Sequence, residues 1–373
     1  MQIALLSLPM TWNYGGILQQ FALQEVLTDM GHSTHILCRR QTRKNILIKS
    51  MVKLKWLAIP AMAKNLDLKK YPLFAVEHFK SNHLRNMTTP LYSNTDLINY
   101  VEKNLIDAVV VGSDQVWNKW AVPDLFNYYL DFCENKSDLI RIAYAPSFSK
   151  PEWDYTDSER VRCSELLQKF NAISTREHIG VAHCRDQLKV DAKLLPDPTL
   201  LLTAEQYIEK IGLDKIDGKD LHNYIFSYIL DPDLKKSSSI IEACQYFNAG
   251  VISFPSSFND NANNKKNATH DQTVENWINM IRHSRFVITD SFHGMIFAII
   301  FNKPFIAFPN IKRGFERFST IGVELNVSGN FIFDKDDLNK KFQIDLDWTT
   351  INKKIFLWAS LGKSFLINTL NQK

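Results

Sequence analysis

A short stretch with an unbroken hydrophobic centre most limits what this chain can fold into. Residues 107–112 read Asp-Ala-Val-Val-Val-Gly, without the alternation of a strand that has one face in water. Such a run is typical of a strand buried on both faces of a parallel sheet. It leads directly into Ser113 and Asp114, at the carboxyl end of a strand, where open α/β sheets bind ligands. The same two residues also fit a helix N-cap, and both roles can hold together.

Strands and helices alternate along the rest of the chain. A strand over 2–8, a loop over 9–16, a helix over 17–30 and a strand over 34–38 predict a β-loop-α-β unit. The loop contains Asn-Tyr-Gly-Gly rather than GxGxxG, so it indicates a dinucleotide only weakly. Further strands are predicted at 141–145, 171–174, 224–229, 251–254, 286–289 and 304–308. A helix is predicted over 348–370.

The pattern restarts at Tyr224, with the boundary near residues 171–223, which predicts an α/β protein with two doubly wound Rossmann-like domains. The expected domains are an N-terminal one over 1–172 and a C-terminal one over 173–345, followed by a C-terminal helix over 346–373. A cleft between two such domains is the natural place for a ligand.

A second candidate ligand-binding turn follows the predicted strand at 286–289. Asp290 and Ser291 break the apolar run, and a helix-compatible segment follows. The free N–H groups of such a helix start attract anions, phosphate above all. His293 in this turn suits proton transfer on a phosphorylated substrate, or it is a buried histidine that caps the helix. Asp290 either orients His293 or caps the helix, and we favour the cap.

Arg176 stands where a predicted strand turns into a helix, within Ser-Thr-Arg-Glu. Its guanidinium group can hold a carboxylate or a phosphate through two parallel hydrogen bonds. The alternative is an ion pair with Glu177 or another acid, which is common. Farther along, Asp197 lies between two prolines, which hold it in an extended or turn conformation.

The positive charge of the chain is concentrated in one segment. Residues 39–70 contain ten basic residues and one acid, a net charge of +9, so with +4 for the whole chain the remainder carries −5. The segment fits an amphipathic helix on an anionic membrane surface or a helix packed on the domain, and Pro60 favours packing. No nucleic-acid motif accompanies it, so we expect no nucleic-acid partner. Residues 256–270 are polar and predict a mobile loop.

The cysteines and the termini indicate a cytoplasmic location. Five cysteines are scattered without a CxxC pair, which argues against a disulfide framework and a zinc cluster. The first residues lack the basic start and cleavage site of a secretory signal. No apolar run approaches the roughly 18 residues of a membrane span. No HxH or HExxH motif and no carboxylate cluster predicts a metal site.

Five stretches, in order, give the chain a resemblance to the polysaccharide pyruvyl transferase family over about residues 1–325. They are Asn13-Tyr14-Gly15-Gly16 with Leu18-Gln19, Val111-Gly112-Ser113-Asp114-Gln115-Val116-Trp117-Asn118, Ser174-Thr175-Arg176-Glu177, Asp197-Pro198-Thr199 and Thr289-Asp290-Ser291-Phe292-His293-Gly294. The resemblance implies a two-domain fold similar to the glycosyltransferase-B type. It implies transfer of pyruvate from phosphoenolpyruvate onto a sugar of a cell-surface polysaccharide or its lipid-linked precursor, with ketal formation and release of phosphate.

The resemblance also implies roles for individual residues. Arg176 matches the arginine expected to hold phosphoenolpyruvate, and His293 matches the histidine of the family's arginine-x-histidine-glycine type motif. The chemistry of ketal formation, which needs an acid and a base, leads us to assign both roles to His293. Ser291 departs from the family, because many relatives carry an arginine there. Either Arg313, Arg317 or Lys303 supplies the missing charge, or this branch of the family positions its donor differently. The implied reaction needs no metal and no cofactor beyond phosphoenolpyruvate as co-substrate.

We therefore expect the acceptor sugar on the side of 1–172 and phosphoenolpyruvate on the side of 173–345. The residues expected to bind substrate are Asn13, Gly15, Gly16, Ser113, Asp114, Asp290, Ser291, Phe292, Gly294, Arg313 and Arg317. The enzyme is expected in the cytoplasm, at the inner face of the membrane if 39–70 touches anionic lipid. The alternatives are a nucleotide-sugar-dependent glycosyltransferase, which the fold would suit equally, and a non-catalytic glycan-binding scaffold.

Overall fold

A computed structural model of the protein describes residues 1–10, 13–41, 72–216, 223–254, 272–310, 314–333 and 338–371, with side chains from residue 75 onward in the third range. Residues 42–70 of the basic segment, the predicted loop at 256–270 and Arg313 lie outside these ranges. What the sequence predicts for them stays a prediction.

The first sheet has six parallel strands in the order β2-β1-β3-β4-β5-β6. The strands are β1 (Gln2–Leu6), β2 (Ser33–Leu37), β3 (Ala108–Val111), β4 (Ile140–Ala143), β5 (Ala172–Thr175) and β6 (Lys193–Leu194). Every residue of β3 is fully buried, because helices and loops cover both faces of this parallel sheet. The uninterrupted valine run predicted this central position.

The second sheet has four parallel strands in the order β10-β9-β7-β8. The strands are β7 (Tyr224–Tyr228), β8 (Gly250–Phe254), β9 (Phe286–Thr289) and β10 (Phe305–Ala307). The change from the first sheet to the second therefore comes between Leu194 and Tyr224. This change lies within the predicted boundary region of 171–223, and the domain limits at 172 and 345 stay predictions.

Helices cover the sheets and connect their strands. They are α1 (Tyr14–Asp29), α2 (Pro72–His83), α3 (Asn94–Lys103), α4 (Asp157–Leu167), α5 (His178–Asp186), α6 (Ala204–Ile211), α7 (Leu234–Phe247), α8 (Val274–His283), α9 (Phe292–Ile300), α10 (Phe315–Leu325), α11 (Leu338–Phe342) and α12 (Trp348–Leu370). The prediction of a helix over 348–370 is confirmed by α12. Within the described ranges, no helix has both the length and the apolar character needed to cross a membrane.

Helix α1 begins three residues before the predicted start at Ile17. Tyr14 and the two glycines after it form its first turn, so the prediction of a loop over these residues is wrong. The reason is long-range packing. The Tyr14 ring stacks on Tyr228 with 6.2 Å between ring centroids and meets the edge of Trp277 at 5.8 Å. Its hydroxyl donates to the carbonyl oxygen of Gln272 at 2.7 Å.

The two halves share one hydrophobic cluster, to which both α1 and α9 contribute. The ring of Phe297 in α9 lies 5.1 Å from that of Tyr207 in α6. Helix α12 follows the second sheet in the sequence but packs on the first, where Phe365 lies 6.2 Å from Tyr144. This shared burial fixes the cleft between the sheets, because interfaces of this apolar kind resist relative movement.

Candidate active site

The carboxyl ends of strands from both sheets meet in one cleft. Asp114 follows β3, Ser147 follows β4, Arg176 follows β5, Asp197 follows β6 and His293 follows β9. All five side chains are at least nine-tenths buried, and hydrogen bonds or close contacts connect them. This is the edge at which open α/β sheets place their ligands.

Arg176 lies at the centre of three carboxylates. Its side chain is 1% exposed and donates to Asp197 at 3.0 Å, to Asp114 at 3.3 Å and to Glu177 at 3.3 Å. Burial disfavours its charge, but the three acids raise the pKa of Arg176 above its ordinary value. The ion pair with Glu177, the alternative considered for this residue, is therefore present. Arg176 organises the acidic residues of the cleft, and its guanidinium group is engaged with the protein itself.

Asp197 receives hydrogen bonds on both carboxylate oxygens. Oδ2 accepts from Gln19 at 2.5 Å and from Arg176 at 3.0 Å. Oδ1 accepts from the backbone N–H of Thr199 at 3.1 Å and from its hydroxyl at 2.7 Å. Burial would raise the pKa of Asp197, but nearby His293, Arg176 and Thr199 lower it well below its usual range. The Asp-Pro-Thr motif thus holds a buried carboxylate, that of Asp197, which stays ionised at neutral pH.

His293 occupies the first turn of α9, beside Asp197. Its Nε2 lies 3.7 Å from Oδ2 of Asp197, which is too long for a hydrogen bond. Among the described residues this buried nitrogen has no hydrogen-bond partner. A buried nitrogen without a partner is costly unless a ligand meets it, so Nε2 is available for proton transfer.

The absence of a side chain at Gly15 leaves the space that the His293 ring fills. A Cβ atom on Gly15 would lie 1.9 Å from Nδ1 of His293 and 2.2 Å from Cγ. Only glycine allows the backbone of α1 and the ring to approach so closely. Gly16, in the same first turn of α1, lies beside the side chain of Asp114. Asn13 precedes this turn and is exposed. The Asn-Tyr-Gly-Gly motif therefore lies at the cleft, where it forms the start of a helix.

Phe292 lies between two guanidinium groups. The Cζ of Arg176 is 5.5 Å and the Cζ of Arg317 is 5.2 Å from the centre of its ring. Burial and the charge of Arg176 lower the pKa of Arg317 to about 10, so Arg317 is still cationic at neutral pH. Lys303 lies beyond the far end of α9, since its backbone N–H bonds to Ala298. Arg317 is thus the one of the two described candidates that lies at the cleft.

Ser291 and Asp290 make hydrogen bonds other than those that the sequence indicated. Ser291 caps α9, because its hydroxyl oxygen accepts from the N–H of Gly294 at 3.3 Å. The interpretation of Asp290 as the cap is therefore wrong. Asp290 accepts from the backbone N–H groups of Leu230 at 2.5 Å and Asp231 at 3.0 Å, and from Lys236 at 2.9 Å. These bonds tie the loop after β7 to the base of α9.

Ser113 is likewise bonded within the protein. Its hydroxyl donates to the carbonyl oxygen of Ala145 at 2.7 Å and lies 3.3 Å from Nε2 of Gln19. Gln19 and Glu177 were missed as site residues by the sequence reasoning. A helix that begins at Tyr14 places Gln19 one turn after the two glycines, on the side of the cleft, and this position is the signal that could have identified it.

The backbone around the cleft takes positive φ angles at several residues. Gly112 has φ +119°, Asp114 +69°, Ala145 +51°, Ser149 +76° and Gly314 +101°. Residues other than glycine rarely adopt this region, at a cost of about 1–3 kcal/mol each. A Cβ atom on Gly112 would lie 2.2 Å from the carbonyl oxygen of Tyr144. Strain of this kind gathers at functional sites, where the surrounding structure holds it in place.

A family model matches most of the chain. Residues 13–312 match the family model described as polysaccharide pyruvyl transferase, a range that contains all five motifs of the resemblance. No curated protein matches the chain.

Solved structures share the fold at low sequence identity. UDP-GlcNAc 2-epimerase from Neisseria meningitidis is 10% identical with a TM-score of 0.53, covering 100% of both chains. UDP-N-acetylglucosamine 2-epimerase from Rickettsia bellii is 10% identical with a TM-score of 0.53, over 100% of this chain and 97% of the other. UGT89C1 of Arabidopsis thaliana is 10% identical with a TM-score of 0.51, over 99% and 100%. The predicted two-sheet α/β fold similar to the glycosyltransferase-B type is confirmed.

Proposed function

The chain belongs to the polysaccharide pyruvyl transferase family, an enzyme family, and we infer that phosphoenolpyruvate is its pyruvyl donor. The acceptor is a sugar of a cell-surface polysaccharide or of its lipid-linked precursor. The product is a cyclic pyruvate ketal, and phosphate is released. The reaction so written needs phosphoenolpyruvate as co-substrate and no further cofactor.

The reaction requires one proton donor and one proton acceptor. A proton added to the methylene carbon of phosphoenolpyruvate makes C2 electrophilic, and the first hydroxyl oxygen of the sugar bonds to C2 as a base removes its proton. The second hydroxyl oxygen then displaces phosphate from C2, and its proton leaves with the phosphate. Nothing is oxidised or reduced, and two C–O bonds replace the C=C π bond and the C–O bond to phosphate.

The single observation that carries the proposal is the buried Nε2 of His293, without a partner among the described residues and 3.7 Å from Asp197. An imidazole takes up and returns a proton near neutral pH. The Asp197 carboxylate lies beside this ring, and a histidine in such a place is suited to deliver a proton and then to accept one.

Binding of the donor is proposed to fall to Arg317 and the first turn of α9. Arg176, assigned as the anion clamp from the sequence, is surrounded by Asp114, Glu177 and Asp197. Arg317 shares Phe292 with Arg176 and supplies the charge that Ser291 lacks. The helix start adds N–H groups for phosphate, although that of Gly294 already bonds to Ser291.

We place this activity in the cytoplasm, at the inner face of the membrane, where lipid-linked precursors are available. Contact with anionic lipid through 39–70 would hold the enzyme there. The acceptor sugar would then approach from the side of the first sheet.

The proposal is tested by incubating candidate lipid-linked glycans with phosphoenolpyruvate and the protein, and looking by mass spectrometry for the pyruvate ketal. His293→Ala and Arg317→Met should abolish product and phosphate release, while Arg185→Met, at an exposed ion pair with Asp186, should retain both. Near-normal turnover in the first two variants would sink the mechanism. Stabilisation by nucleotides rather than by phosphoenolpyruvate in a thermal-shift screen would favour the glycosyltransferase alternative.

A further inference from the structure

The exposed face of α12 carries four large apolar side chains. Phe356 is 70% exposed, Leu357 54%, Leu361 61% and Ile367 41%. At about 1.5 Å per residue, the stripe from Phe356 to Ile367 is roughly 16 Å long, and polar residues such as Ser360 lie between its members. Single exposed apolar side chains are ordinary, but several gathered on one helix face mark a surface that another molecule covers.

The opposite face of α12 fixes the helix in this orientation. Trp358 and Leu366 are buried against the protein. A Cβ atom on Gly362 would lie 2.5 Å from the hydroxyl oxygen of Tyr144, so the backbone of α12 approaches the first half as closely as only glycine allows. A rotation of the helix that buried the apolar stripe would break this contact. The stripe therefore faces outward in the folded chain.

Lysines border the stripe on both sides. Lys354 and Lys363 are nine residues apart, which is two and a half turns at about 3.6 residues per turn, so they lie at opposite edges of the exposed face. Lys353 lies between these edges and is exposed. Residues 348–370 contain no aspartate and no glutamate, and in the part of the chain that the structure describes none of the three lysines makes an ion pair. The face thus presents positive charge without a partner of its own.

A groove of about 450 Å³ opens beside Phe356, between α12 and the start of α6. Leu202, Ile300 and Ile355 are among the residues that line it, and Lys363 also contributes to its wall. The apolar surface therefore has depth beside the stripe. Flexible acyl chains can fill such a recess, which a flat protein surface would leave empty.

We propose that α12 is a membrane-contact helix that lies on an anionic lipid surface. The apolar stripe enters the boundary between headgroups and acyl chains, and the lysines at its edges reach lipid phosphates with their ammonium groups. A second copy of the chain fits less well, because the lysines of the two copies would meet each other. The inference goes beyond the contact proposed for 39–70, since it assigns a separate surface, and it does not depend on pyruvyl transfer.

The test is co-sedimentation of the full chain with vesicles of phosphatidylcholine alone and of an equal mixture of phosphatidylcholine and phosphatidylglycerol. The wild type should bind the mixed vesicles, and more weakly as salt rises. The double variant Phe356→Ser, Leu361→Ser should lower the partition coefficient at least about tenfold, because two apolar side chains no longer leave water. The double variant Lys354→Gln, Lys363→Gln should lower it about tenfold on the mixed vesicles alone.

Two exposed residues on other helices provide matched controls. Leu234, in the first turn of α7, is 88% exposed, and Lys103 is exposed in the last turn of α3. Leu234→Ser and Lys103→Gln should bind vesicles as the wild type does. All of these variants should keep the wild-type melting temperature, because substitutions of exposed side chains change stability little. A loss of binding is then a loss of the surface and not of the fold.

Several results would overturn the proposal. Equal partition of the wild type and of Phe356→Ser, Leu361→Ser would leave 39–70 as the lipid contact, and equal binding to neutral and mixed vesicles would remove the role of the lysines. No vesicle binding, with self-association in sedimentation velocity that the same double variant abolishes, would make the face a contact between copies. Pyruvyl transfer without α12-dependent vesicle binding would leave the proposed function standing. Vesicle binding without pyruvyl transfer would leave the surface standing.

Discussion

Individual side chains in this cleft are held by a few close contacts, and Gly15 is the clearest case. Its missing Cβ is what lets the His293 ring lie against α1. The position has no tolerance for even one methyl group. The histidine and the glycine therefore act as a pair, although they lie on different halves of the chain.

Gly15→Ala should lower pyruvyl transfer by about a hundredfold, because displacing a reacting group by about 1 Å costs that much. Phosphate release from phosphoenolpyruvate with acceptor present is the measurement. Gly250→Ala is the control, since a Cβ there meets nothing within 4 Å. Unchanged turnover in Gly15→Ala would show that His293 can be placed elsewhere without loss.

Arg176→Met should reduce the free energy of unfolding by about 3–5 kcal/mol, because removing the guanidinium group leaves three buried carboxylates without their cation. Urea denaturation measures the change. Arg185→Met, in an ion pair whose partners are 68% and 54% exposed, should stay within about 0.5 kcal/mol of the wild type. A small change in Arg176→Met, together with lost phosphoenolpyruvate binding, would return Arg176 to the clamp role.

At the level of secondary structure, the start of α9 combines three tasks in four residues. Asp290 fixes the neighbouring loop, Ser291 caps the helix, and Phe292 and His293 face the cleft. Because the cap and the proposed donor site share one turn, a substitution of Ser291 can separate stability from binding.

Ser291→Ala should lower the free energy of unfolding by about 1 kcal/mol, as loss of an N-cap does. Ser291→Asp should keep that stability, because aspartate also caps helices, but should raise the KM for phosphoenolpyruvate by placing a negative charge beside its phosphate. Urea denaturation and steady-state kinetics on both variants check the two effects. Equal KM values in both would place the phosphate away from α9.

Local sequence signals predicted the elements, and long-range contacts decided what the sequence could not. The valine run of β3 and the polar turn after β9 were readable because burial on both faces and a helix start leave local patterns. The start of α1 was not, since Tyr14 is buried by residues some 258 positions away. The choice between Arg317 and Lys303 depended on the nine residues of α9, which place their ends about 13 Å apart.

For the molecule as a whole, acid stability should depend on the carboxylates of the cleft. His293, Arg176 and Thr199 outweigh burial and lower the pKa of Asp197. Such a group stabilises the fold above its unfolded pKa of about 3.9, and this contribution is lost as the pH falls toward the lower folded pKa.

The free energy of unfolding of the wild type should therefore fall below about pH 4, and Asp197→Asn should show a shallower fall. Urea denaturation at several pH values between about 3 and 7 is the measurement. Asp157→Asn, at a side chain that is 97% exposed, should keep the wild-type slope. Identical slopes for Asp197→Asn and the wild type would mean that Asp197 does not carry the acid sensitivity.

The contacts of the first turn of α1 can form only late in the synthesis of the chain. Tyr14 leaves the ribosome about 258 residues before Gln272, which at about 5–20 residues per second is a delay on the order of tens of seconds. During most of that interval Tyr228 and Trp277, whose rings contact Tyr14 in the folded protein, have not yet been translated. The imidazole of His293 can lie against Gly15 only after β9 and the start of α9 have been translated. A chain that stops before this point therefore has no assembled site. Activity is therefore expected only from chains in which both sides of the cleft have been translated.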